Sequence, residues 1–292
     1  LESWLGSRPM IPPSIRVELA HAATAVLGQR LGVDLLVIKG PGMDPLAAYT
    51  GRASSDVDVL VRPDQVTQFL DGARNHGWTA RDRFETGSPF GHSVTMFHPT
   101  WGDLDVHRLI PGIEVPAADA FDVFWATRIE AELAGQPCPH PDPAAQALIL
   151  VLHAARSEGS PRAAMDVAHA WTNAPDAQRQ AIRALVERLN AHVAWAAATG
   201  GLDAFRHRPT YRLWLVASQG GGRLQEWRAR AAAEPTWRGK AAITLRAPLV
   251  NTDHLAMLLG RRPTRREVAH EFVDRFRRAA VEVAARARRE RR

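Results

Sequence analysis

Between Ser55 and Val61 the chain reads Ser-Asp-Val-Asp-Val-Leu-Val. In a β-strand successive side chains point to opposite faces, so this alternation separates an apolar face from one carrying Asp56 and Asp58. A segment of this kind belongs in a sheet with one face on a core. Its two carboxylates stand side by side and repel each other unless a cation lies between them. Hard divalent ions such as Mg²⁺ take oxygen ligands of this sort. An exposed strand face beside a loop would show the same pattern, so the context decides between the two.

Upstream, Leu31 to Lys39 is predicted as a strand ending at Gly40-Pro41-Gly42, where a glycine lets backbone N–H groups approach a phosphate. Asp44 to Tyr49 is predicted as a short helix capped by Asp44, and Pro63 to His76 as a helix with proline at its start and Gly77 past its end. Trp78 to Phe84, Ser93 to His98 and Asp103 to Leu109 read as further strands, the last two joined by a turn at 99–102. If the 103–109 strand lies beside the 55–61 strand, Asp105 completes a three-carboxylate cluster able to hold divalent ions around a polyphosphate. His107, two residues on, faces the same way as Asp105.

Prolines at 137, 139, 141 and 143 predict an extended, stiff linker between two domains, 1–136 and 144–292. Beyond it, Ala144–Arg156, Arg162–Thr172 and Ala177–Thr199 have helical patterns, Gly220-Gly-Gly222 breaks the helices, and Thr264–Arg289 reads as one long helix. The expected architecture is an α/β domain followed by an all-helical one.

The order of these pieces resembles the nucleotidyltransferase superfamily, and more narrowly the bacterial family labelled uncharacterised nucleotidyltransferase. The residues that carry the resemblance are Lys39-Gly40, Tyr49, Arg52, Asp56-Val-Asp58-Val-Leu-Val61, Asp105-Val-His107, His153-Ala-Ala155 and Asp166. They span about residues 31–170. The wider superfamily prefers Gly-Ser or Gly-Gly at the turn, where this chain has Lys-Gly-Pro-Gly.

The resemblance implies an α+β fold: a minimal mixed sheet with flanking helices. It implies that Asp56, Asp58 and Asp105 ligate Mg²⁺ and that Asp105 helps deprotonate an acceptor hydroxyl. Lys39, Gly40, Arg52 and His107 would meet the phosphates of a nucleotide donor. The function implied is transfer of a nucleotidyl group from an NTP to a hydroxyl or phosphate. A sugar transferase using a nucleotide-sugar donor and a non-catalytic nucleotide-binding or antitoxin-like partner are the alternatives. His92 and His153 read as structural histidines. Asp166 reads equally as an acceptor base or as half of a buried ion pair.

Composition narrows the partners. Of the net charge of +6, residues 261–292 hold 12 arginines against five acidic residues, so the remainder is close to neutral. That distribution favours a small-molecule or peptide acceptor over a nucleic acid, because a protein that grips a long nucleic acid spreads cationic surface along its groove. A single cysteine, Cys138, excludes an intramolecular disulfide. No run of about 18 apolar residues suggests a membrane span. Residues 1–13 lack a basic segment followed by an apolar one, and a cytoplasmic location is the expectation.

Overall fold

The computed structural model describes residues 11–87 and 90–290. Expectations for residues 1–10, and for Ser88 and Pro89, lie outside the described residues.

Helix α1 (Pro13–Leu31) opens on a proline at its first position and closes on Gly32 at φ +64°. Strands β1 (Leu35–Lys39) and β2 (Val57–Val61) follow, then α2 (Val66–Asn75), β3 (Thr79–Ala80), α3 (Phe84–Gly87), β4 (Ser93–His98) and β5 (Gly102–His107). The strands form one mixed sheet in the order β1-β2-β5-β4-β3. β2 and β5 run parallel, and every other neighbouring pair is antiparallel. This is the α+β sheet that the sequence implies.

The side-chain alternation assigns the two faces. Leu35, Val37, Val57, Val59, Val61, Leu104 and Val106 pack with α1 and α2 in one core. Leu36, Ile38 and Leu60 point the other way, into a core with α4 (Ala117–Ala126) and α5 (Pro143–Ala154). That second core continues into α7 (Asp176–Arg188) and α8 (His192–Thr199) through Ile182, Val186, Val193 and Ala194. Sheet and helices therefore share one apolar interior.

Several local expectations are corrected. Residues 137–143 are not a free linker: β6 (Ile129–Leu133) and β7 (Gln136–His140) form an antiparallel hairpin, and β7 packs against β1 and α1. Pro137 and Pro139 point outward while Cys138 and His140 are buried, so the period of two in the prolines is a strand period. Asp44–Tyr49 makes turns rather than a helix, with the Asp44 carboxylate accepting from the Leu46 N–H at 2.8 Å. The third strand stops at Ala80, because the Asp82 carboxylate takes the Thr95 N–H that a longer strand would have paired. The pattern over 177–199 divides into two helices at Asn190, which sits at φ +50°.

Every described element after β7 is helical. Beyond α5 come α6 (Pro161–Val167) and a π-helical turn (Ala168–Thr172), then α7, α8 and α9 (Tyr211–Gln219). The chain closes with α10 (Arg223–Ala233), α11 (Trp237–Arg246), α12 (Thr252–Leu259) and α13 (Arg265–Glu290). No helix among the described residues is long and apolar enough to cross a membrane.

Candidate active site

The parallel pairing of β2 with β5 places Asp58 directly opposite Asp105 and Leu60 opposite His107. All four side chains project on the α5 side of the sheet, because Val57, Val59, Leu104 and Val106 occupy the other face. Asp58, Asp105 and His107 each bring a ligand atom within 4.8 Å of the others. Asp56 precedes β2, half-buried, and its carboxylate accepts from the Ser55 hydroxyl at 3.2 Å. It is not one of the three clustered groups, although its charge reaches Asp105.

A bulge in β1 determines what Asp58 meets. The register shifts between Val37 and Lys39, so that Lys39 pairs with Asp58 instead of continuing the alternation. The Lys39 ammonium donates to Asp58 Oδ1 at 2.8 Å, and His107 Nε2 lies 2.9 Å from the same oxygen. Burial alone would raise the Asp58 pKa, but Lys39 and His107 outweigh it and hold the carboxyl well below its ordinary range. Asp58 is therefore ionised, with its second oxygen available.

Asp105 behaves in the opposite way. Burial, then the charge of Asp58, push its pKa up to about 7, against a hydrogen bond of 2.6 Å from the Thr95 hydroxyl. Burial lowers the pKa of His107 and leaves the ring neutral. With Nε2–H donating to Asp58, the lone pair of Nδ1 is buried and has no hydrogen-bond partner. Two carboxylates that repel each other, with the His107 imidazole beside them, form a donor set that fits a divalent cation.

Positive charge closes the site from the α5 side. Arg156, just past the end of α5, donates to His92 Nε2 at 2.7 Å. Burial lowers its pKa to about 10, while Asp58 and Asp105 favour its charge. His92 is depressed by burial and then by Arg156, and stays neutral. His153, one turn before Arg156, is lowered to about 2 by burial, Lys39 and Arg156. Lys39, His107, His153 and Arg156 line a small cavity between the sheet and α5.

The other expected residues shape the loop between β1 and β2. Gly40 sits at φ +119°, and a Cβ there would lie 2.5 Å from His21 Nε2. His21 also lies 3.2 Å from the Lys39 carbonyl oxygen, so α1 braces this turn from behind. Arg52 does not reach the carboxylates. It makes a two-pronged pair with Asp166 of α6, at 2.7 and 3.0 Å, both side chains being buried. Arg162 donates to the Ala53 carbonyl and His169 lies 2.8 Å from the Pro45 carbonyl, so α6 and the π-turn latch the loop at three points. Tyr49, in the loop rather than a helix, meets the His169 ring edge-on.

Arg156, Thr95 and His21 were not singled out from the sequence as site residues. Arg156 alone carries a usable signal, as the next polar residue after His153-Ala-Ala155, in the turn that follows that helix.

Residues 15–203 match the family described as "Uncharacterised nucleotidyltransferase". No curated protein matches the chain. Among solved structures it is similar to an antigenic nucleotidyltransferase-like protein from Paracoccidioides brasiliensis, at 17% identity and TM-score 0.37, over 66% of this chain and 97% of that one. It is similar to the antibiotic-resistance factor ANT(2'')-Ia at 14% identity and TM-score 0.37, over 67% and 97% of the two chains. A third similar structure is the lincosamide antibiotic adenylyltransferase LnuA with lincomycin bound, at 15% identity and TM-score 0.33, over 57% and 94%.

Proposed function

The chain belongs to the uncharacterised nucleotidyltransferase family, and from that premise we propose that it is a divalent-metal-dependent nucleotidyltransferase acting on a small-molecule or peptide acceptor. An oxygen of the acceptor, from a hydroxyl or a phosphate, attacks the α-phosphorus of an NTP. The bond to the bridging oxygen breaks and pyrophosphate leaves. The observation that carries this reading is the register that sets Asp58 against Asp105, with His107 beside them.

Asp58, Asp105 and His107 would hold the cation, and Asp56 is near enough to add its charge. The cation would supply positive charge beside the phosphoryl oxygens. The chain's own residues supply the rest. Lys39 and Arg156 place fixed positive charge on the floor of the site, where a triphosphate brings negative charge. Thr95 fixes the orientation of Asp105, whose carboxylate takes the proton of an acceptor hydroxyl. Gly40 keeps the turn after β1 close to its neighbours. Arg52 acts through Asp166, holding the loop that leads into Asp56 and Asp58.

The test follows the label. Purified protein is incubated with each α-³²P NTP, Mg²⁺ or Mn²⁺, and pooled hydroxyl- and phosphate-bearing acceptors. The expected result is label in an acceptor product, pyrophosphate release, and loss of both in Asp105→Asn. Release of a nucleoside diphosphate from a nucleotide-sugar, with no pyrophosphate, would replace this reading with sugar transfer. Binding without turnover of any donor would favour a non-catalytic role.

A further inference from the structure

Helices α10 to α13 lie beyond the residues that match the family, and among the described residues they contribute no side chain to the carboxylate site. Between them runs a groove of about 520 Å³. Its floor is apolar, made by Leu224, Trp227, Leu255, Leu258 and Phe276. Leu258 is 69% exposed and Phe276 51%. Single apolar side chains at a surface need no explanation, but several converging in one concavity mark a binding site.

The rim has a definite sign. Arg223 and Arg278 line it, with Arg275 buried behind them and donating to the Leu249 carbonyl, against one carboxylate, Glu271. Glu271 Oε1 already accepts from Arg275 at 3.0 Å and from Arg278 at 2.7 Å. Arg223 has no carboxylate within ion-pair distance among the described residues. It also opens α10, where the helix dipole is positive and a cation is unfavourable. Partial burial, and then the neighbouring charge of Arg275, lower its pKa. Excess positive charge is thus held next to an apolar floor at a cost to folding.

We propose that this groove docks an acidic amphipathic helix of a partner protein, with apolar side chains on the Leu224–Trp227–Leu258–Phe276 floor and carboxylates at Arg223 and Arg278. A helix with one apolar stripe and charged flanks is the ligand that a concave apolar slot accepts. The sign of the flanks is set by the rim. It is reinforced at long range by the whole segment 223–292, which holds 18 basic residues against eight acidic ones. A nucleic acid would leave the apolar floor unused, and a lipid surface is flat where this site is concave.

The test uses the full chain and a fluorescein-labelled model peptide of about 16 residues, with Leu and Phe at helical spacing flanked by Glu. Two control peptides carry Lys in place of Glu, or the same composition in scrambled order. Fluorescence anisotropy is expected to show saturable binding of the acidic peptide, weakening as salt rises. Each control peptide, and each of Arg223→Glu and Leu258→Glu, is expected to weaken binding by about tenfold or more. Circular dichroism checks the fold of both variants. If Leu258→Glu misfolds, Arg223→Glu alone decides. Equal binding of the Lys-flanked peptide, unchanged binding in Arg223→Glu, or no saturable binding would overturn the proposal. So would a preference for phosphatidylglycerol vesicles or a duplex oligonucleotide over the peptide.

Discussion

Asp105→Asn removes one charge from a site where two carboxylates face each other. The wild-type carboxyl is pushed from its ordinary value near 3.8 to about 7, first by burial and then by Asp58. A group with a raised folded pKa contributes stability that is fully present below about pH 4 and is lost as pH rises through about 7. The whole difference is worth up to about 4 kcal/mol, of which about 2–3 kcal/mol falls between pH 5 and pH 8. Asparagine keeps the oxygen that accepts from Thr95 and does not titrate. In EDTA, the melting temperature of the variant relative to wild type is therefore expected to climb by about 4–6 °C between pH 5 and pH 8. Mn²⁺ should raise the wild-type melting temperature at pH 8 and leave the variant unchanged. Differential scanning fluorimetry over this range is the assay. A constant gap across pH would show that Asp105 is not strained by its neighbours, and an equal Mn²⁺ response in both proteins would remove it from the cation site.

Asp58→Asn should behave differently, because the buried Asp58 carboxylate is the partner of the half-buried Lys39 ammonium. Leaving that charge unpaired costs about 3–5 kcal/mol, read as a lower urea midpoint, and wild-type stability would refute the pairing. Arg52→Ala strands Asp166 in the interior for a similar loss of about 3–5 kcal/mol. The Arg52→Ala/Asp166→Ala double variant should lose less than the two single losses added, and limited proteolysis should cut the 41–55 loop sooner in the single variant. Gly40→Ala forces a Cβ into the His21 ring at a backbone angle that favours glycine, at about 1–3 kcal/mol. Adding His21→Ala should restore part of that loss in a chemical melt, and no recovery would show that the contact is unimportant.

Much of the sheet was legible because its strands alternate cleanly. The segments at 55–61, 93–98 and 103–109 each separate polar from apolar residues with a period of two, and each is a strand. The same alternation placed Asp105 and His107 on one face. What a linear pattern does not encode is register. The bulge before Lys39 turns its ammonium onto Asp58, so mutual repulsion of Asp56 and Asp58, the reading drawn from their spacing, gives way to a three-membered Lys39–Asp58–His107 contact. Arg52 and Asp166 are separated by 114 residues, and only the packing of α6 against the β1–β2 loop pairs them. The prolines at 137 and 139 were misleading for a chemical reason. Proline excludes a central strand, but on a two-stranded hairpin its missing N–H can face outward. Helix α1 was not read from the sequence, although its His21 braces the Gly40 turn.

The most direct measurement is the position of Mn²⁺ in crystals grown with a non-hydrolysable NTP analogue, located by anomalous scattering. The account expects a peak about 2.0–2.3 Å from a carboxylate oxygen of both Asp58 and Asp105, with a non-bridging phosphate oxygen completing its shell. A peak held by neither aspartate, or a triphosphate bound away from the β2–β5 face, would contradict it.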